Sequence, residues 1–127
     1  MTTIEYAYIK EFKKDFKKLE KRYRTLSEDF ENMKKNLLET HYIKGTSLPQ
    51  NSIVNVEGFC GKTYESKKIR KFTCKSLKNL GVKSGIRIIF VFEKENLKIT
   101  FIEIYHKKDQ EIENKSRLRA FIKENFK

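Results

Sequence analysis

Proline occurs once in the 127 residues, cysteine and histidine twice each, glycine five times and tryptophan never. So few prolines and glycines leave no low-complexity linker, and a chain of this length is expected to form a single domain over residues 1–127. A domain of that size buries roughly two-thirds of its unfolded surface, so it needs no disulfide or metal staple. Cys60 and Cys74 are expected to be reduced thiols of a cytoplasmic protein. With His41 and His106 they supply four potential zinc ligands, but neither a Cys-x-x-Cys nor a His-x₃-His spacing occurs, and no metal or other cofactor is expected. The longest apolar run, Ile88 to Phe92, falls far short of the ~20 residues that span a bilayer. Residues 1–10 have no apolar core and no small-residue cleavage site, so neither a signal peptide nor a membrane partner is expected. The glycines match neither a P-loop nor a dinucleotide fingerprint, and no nucleophile elbow is present.

Acidic residues are scarce where basic ones are dense. The chain has 29 Lys and Arg against 17 Asp and Glu, a net charge of +12. Nine of those bases fall between Lys62 and Arg87, with Glu65 the only acid among them. A field of one sign costs stability through self-repulsion, so it points to a polyanionic partner. The second basic run, from Lys10 to Arg24, has eight bases but three acids interspersed on helical spacing, and reads as a solvated helix face. Ten Phe and six Tyr exclude a disordered basic tail.

The periodicity predicts an α+β domain. Residues 3–9 alternate weakly, as in a short first strand. Phe12, Phe16, Leu19, Tyr23 and Leu26 recur at helical spacing, and Ser27 is placed to cap a second helix carrying Phe30, Met33 and Leu37. These two helices are expected to form an αα-hairpin. Strands are predicted over 53–56 and 67–75, the latter with a bulge near Lys71, and over 86–93 and 97–105 as a hairpin turning at 94–96. Leu118, Phe121, Ile122 and Phe126 mark a C-terminal helix. The expected result is a helical hairpin and a C-terminal helix against one face of a small, mostly antiparallel sheet.

The candidate site follows from strand alternation. If Ile69 and Ile86 face the core, Lys68, Arg70 and Arg87 share the opposite face, with Glu103, Tyr105, His106, Lys107 and Lys108 at its rim. Such a set suits a phosphodiester. Arginine forks grip phosphate at two points, and fixed cations offset the extra charge of a pentavalent transition state. RNA brings its own nucleophile in the 2′-OH. Arg87, Lys68, Arg70, His106 and Glu103 are the candidate catalytic residues; Lys71, Lys75, Lys78, Tyr105, Lys107 and Lys108 are the candidate RNA-binding ones. A basic binding face without catalysis is the competing interpretation.

Three segments, Lys68 to Lys78, Ser84 to Phe90 and Phe101 to Asp109, together with Phe12 to Leu19, resemble the RelE/ParE superfamily of type II toxin–antitoxin toxins over about residues 3–125. The resemblance implies a RelE-like fold with a curved sheet, and a metal-independent endoribonuclease that cuts mRNA in the ribosomal A site. It implies that Arg87 holds the scissile phosphate, that Lys68 and Arg70 are the basic pair of the preceding strand, and that Lys108 is the base after the last strand. It further implies a cognate acidic antitoxin as partner. The family's C-terminal stacking tyrosine falls near Asn114 here, which leaves Tyr105 or His106 for that role; Glu103 and His106 correspond to the acid–base pair of other members. ParE-like members share the fold, lack the basic set and inhibit DNA gyrase. A gyrase inhibitor and a catalytically silent RNA- or ribosome-binding protein are therefore the alternatives.

Overall fold

The computed structural model describes residues 2–77 and 80–126. Five strands form one sheet in the order β1-β5-β4-β3-β2: β1 (Glu5–Tyr8), β2 (Ile53–Cys60), β3 (Tyr64–Ile69), β4 (Ile86–Glu93) and β5 (Lys98–His106). All neighbours are antiparallel except β1, which lies parallel to β5 at the sheet edge. The helices are α1 (Lys10–Arg22), α2 (Leu26–Met33), α3 (Thr40–Tyr42) and α4 (Lys115–Asn125), with a π-helical stretch, Lys34–Glu39, joining α2 to α3. No helix among the described residues is long and apolar enough to cross a membrane.

Apolar side chains on both faces explain why β4 is central. Ile86, Ile88, Phe90 and Phe92 point to the face covered by α1 and α2, while Ile89 and Val91 point to the other. On the first face Phe101 is ringed by aromatics, with centroids at 4.9 Å to Phe30, 5.4 Å to Tyr8 and 5.5 Å to Phe12. Each such ring contributes roughly 2–3 kcal/mol through burial. Tyr42 stacks on Phe92 at 4.1 Å and pins α3 to the same face.

The expectation that all the helices lie on one face of the sheet is not met, because β4 and β5 carry apolar side chains on both faces and each face needs a cover. α4 covers the other side, where Leu118, Phe121 and Ile122 meet Val56, Ile89 and Ile102. Arg117 ties its first turn back, donating to Asp15 Oδ2 at 2.5 Å and to the Ile102 carbonyl at 3.1 Å.

Four boundaries depart from expectation. α1 stops at Arg22, and Thr25 rather than Ser27 precedes α2; its hydroxyl donates to Asp29 Oδ2 at 2.7 Å instead of capping a backbone N–H. The hairpin of β2 and β3 turns at 61–63, and β3 ends at Ile69, not at Lys75. Beyond it, among the described residues, only Phe72 keeps a bridge, to Lys83, so the phase change near Lys71 marks the end of a strand. The irregularities lie elsewhere, between Asn55 and Cys60 of β2 and between β4 and β5 at Ile89/Phe90.

Candidate nucleic-acid interface

The chain leaves β3 at Ile69 and returns at Ile86, and this excursion builds the site. Arg70 donates its N–H to the Ser52 carbonyl at 2.8 Å, which fixes the exit. Ser84 is buried and its hydroxyl donates to the Phe72 carbonyl, closing the loop at its base. Gly85 then takes φ +87, which glycine adopts without a Cβ penalty, and its carbonyl accepts from Lys107 N at 2.9 Å. A Cβ at Gly85 would meet His106 Cε1 and Nε2 at 3.0 Å, so glycine is required there twice over.

These bonds bring Arg70, Lys71, Lys83, Arg87 and Lys107 to one cleft of about 340 Å³, completed by Asn51, Val82 and Gly85. Every titratable residue lining it is a cation. Arg87 donates one N–H to the Arg70 carbonyl at 2.5 Å, and Lys71 donates to the Gln50 carbonyl at 2.5 Å. A guanidinium has five N–H donors, so Arg87 keeps a fork for a ligand. Concentrated like charge of this kind draws in anions and raises their local concentration.

Of the residues singled out in the sequence, Arg70, Lys71, Arg87 and Lys107 meet in this cleft. Lys68 does not line it. It lies on the α4 side, opposite Ile89 in register, and its Nζ is 2.6 Å from Glu113 Oε1. Apart from this ion pair that oxygen has no hydrogen-bond partner among the described residues. Burial pushes the Glu113 carboxyl up, but the hydrogen bond from Lys68, the residue's own backbone N–H and the charges of Lys68 and Lys115 together outweigh it and hold the group below its usual range. Lys75 pairs with Glu28 at 2.5 Å in solvent, Lys108 is exposed, and Lys78 lies outside the described residues.

Glu103 and His106 are not brought together. They stand three apart in β5, which puts them on opposite faces. Glu103 is buried and accepts from Asn114 N at 2.8 Å and Gln110 Nε2 at 2.6 Å, so it anchors the start of α4. His106 is buried on the α1 side and stacks on Tyr23 at 6.0 Å. Its Nδ1 accepts from Lys108 N at 3.1 Å, which leaves the proton of the neutral ring on Nε2. Burial holds its pKa below the ordinary value, against the opposing pull of a Ser84 backbone bond. Tyr105 pairs with Arg87 across the strands but is buried, so its ring is not offered for stacking. Burial, with Glu113 and Glu103 nearby, pushes its phenol up against the pull of Arg87, and it stays protonated.

Lys83 and Asn51 were missed by the sequence reading because both lie between elements rather than on strands. Asn51 holds φ 60, a left-handed conformation asparagine tolerates. The signal for Lys83 was its place before Ser84-Gly85, which turns the loop back toward Arg87. Among the described residues no three His, Cys, Asp or Glu side chains gather as a metal site. The cleft is thus equipped to bind and neutralise phosphate, and its lining offers cations rather than a carboxylate or imidazole base. Comparison with family models, curated proteins and solved structures gives no match for the chain.

Proposed function

We propose that the chain is a RelE-like toxin of a type II toxin–antitoxin module that cleaves mRNA in the ribosomal A site with the RNA 2′-OH as nucleophile. The observation that carries this reading is the convergence of Arg70, Lys71, Lys83, Arg87 and Lys107 on one cleft without an acid. In the proposed reaction Arg87 and Arg70 grip the scissile phosphate. The 2′-oxygen attacks phosphorus, its proton passes to water, and the bond to the 5′-oxygen breaks. The products are a 2′,3′-cyclic phosphate and a 5′-hydroxyl. A lysine ammonium of the cleft donates the proton that the leaving oxygen needs. Fixed cations aimed at the developing charge supply the acceleration. The net charge of +12 calls for an acidic antitoxin that keeps the free protein off cellular RNA.

A second reading has its own support: burial of Glu103 and His106 away from the cleft favours a silent RNA- or ribosome-binding protein. Inducible expression followed by 5′-end mapping of cellular mRNA separates the two. Codon-positioned cuts that disappear with Arg87→Ala support the nuclease. Ribosome association with intact mRNA supports the silent binder. Intact mRNA with DNA damage instead supports a gyrase-directed toxin.

A further inference from the structure

The cationic cleft does not end at Val82. A second groove, of about 370 Å³, begins there and shares Lys71 and Val82 with it. Its size falls in the ~300–1,000 Å³ range of small-ligand clefts. Its chemistry differs from that of the cleft. Leu37, Pro49 and Val82 give it accessible apolar lining over the buried Phe72, and the exposed carboxamides of Asn32 and Asn36 stand along it. Its one acid, Asp29, is buried and already accepts from Thr25 Oγ1 at 2.7 Å and Lys75 N at 2.9 Å. Asn36 and Leu37 sit on the π-helical stretch, a wide turn that recurs at functional sites. Val82, on the boundary, is 46% exposed. It is an apolar side chain left in water between two lined hollows.

An apolar hollow edged by amides beside a cleft of cations matches the two halves of a nucleotide. The phosphate is an anion. The base is a flat apolar ring with donors and acceptors on its rim, which a carboxamide can meet on both counts. We propose that this groove is a nucleobase subsite, read by Asn32 and Asn36, for the strand whose phosphate occupies the Arg70–Arg87 cleft. The inference rests on the phosphate-cleft reading and adds to it a seat for one base of the strand. A base paired in a duplex cannot turn into the groove, so the ligand is single-stranded nucleic acid and its bases contribute to affinity.

The test measures binding of the full chain, by fluorescence anisotropy at one fixed salt concentration, to three probes. These are a short single-stranded RNA, an abasic strand of the same length, and the matching RNA duplex. The single strand should bind about tenfold tighter than the abasic strand, the typical worth of one seated base. Asn32→Ala with Asn36→Ala should shrink that ratio to within about twofold and leave the abasic affinity and its salt dependence unchanged. Both positions are exposed, and circular dichroism checks folding. Arg87→Ala should weaken the single and abasic strands by the same factor. Equal affinity for these two strands, tighter binding of the duplex, or an unchanged ratio in the double variant overturns the base subsite and leaves the phosphate cleft standing. Binding that Arg70→Ala with Arg87→Ala does not weaken overturns the phosphate cleft as well.

Discussion

Arg87 Nη1 donates to the carbonyl oxygen of Arg70, so the guanidinium of one cleft arginine is positioned by the backbone of the other. That carbonyl belongs to the residue whose N–H is held by Ser52, which makes the acceptor a fixed point. Substitution at the two positions should therefore have unequal effects. Arg70→Ala removes a charge but keeps the carbonyl that orients Arg87. Arg87→Ala removes a preorganised donor set and should slow RNA cleavage by ~10²–10³, against about tenfold for Arg70→Ala. Arg87→Lys should recover little, because an ammonium has no planar fork. Single-turnover cleavage, with near-ultraviolet circular dichroism to check folding, measures this; equal losses at the two sites would contradict it.

Salt dependence distinguishes the cleft from the helix. Neutralising Lys71, Lys83 and Lys107 together should reduce the slope of log K against log salt for single-stranded RNA by about 2, at ~0.7 per phosphate contact. Neutralising Lys13, Lys17 and Lys21, exposed on α1, should leave the slope nearly unchanged. Equal reductions would show that the charge acts diffusely.

Lys68 should prove more important to stability than to binding. Lys68→Met strands the Glu113 carboxylate, whose side chain is 5% exposed. Breaking a buried pair in this way costs about 3 kcal/mol, the lower end of the usual range because Lys68 keeps 22% of its side chain in water. Since the Glu113 pKa is depressed in the folded state, its contribution is present above the unfolded value of about 4.3 and is lost as pH falls through the folded one. Urea unfolding of the wild type and of Lys68→Met at pH 7 and below 4 should show the difference shrinking in acid.

His106 should govern a separate, milder window. Its folded pKa is depressed by burial, so below about 6.5 the unfolded chain takes up a proton that the folded one refuses. Stability should then decline as pH falls from neutrality through the folded pKa. His106→Phe should be less stable at pH 7 but flat across that interval, as followed by urea midpoints. A cleavage rate that tracks the titration of His106 would instead place the imidazole in the reaction.

The central hairpin and the two helix faces were legible because β4 is apolar without a break from Ile88 to Phe92 and Phe12, Leu19 and Phe30 repeat at helical spacing. Arg87 and Arg70 were legible for a related reason, since alternation about Ile86 and Ile69 assigns their side. The end of β3 was not, because Phe72 and Cys74 continue an apolar pattern although both are buried from a loop. Glu103 and His106 are separated by parity, since residues an odd number apart in a strand point to opposite faces. Lys83 and Lys107 became neighbours of Arg87 only through backbone bonds around Ser84 and Gly85, which no periodicity encodes.

The pairing of β5 with β4 changes by one place at Ile102, since Phe101 opposes Phe90 while Glu103 opposes Ile89. Upstream of that surplus residue Ile99 and Phe101 belong with α1 and α2; downstream it is the even-numbered Ile104 that does, and Tyr105 stands across from Arg87. The bulge thus works as a half-period shift written into the backbone, and Arg117 holds its carbonyl. Chain length on either side has different consequences. Removing Ile102 itself straightens the strand and keeps every downstream side chain on its present face. Removing Ile104, with the bulge retained, reverses the end of the strand and carries the His106 imidazole around to the side of Arg87. For the chemistry beside that arginine, the spacing of residues along β5 counts for as much as their identity.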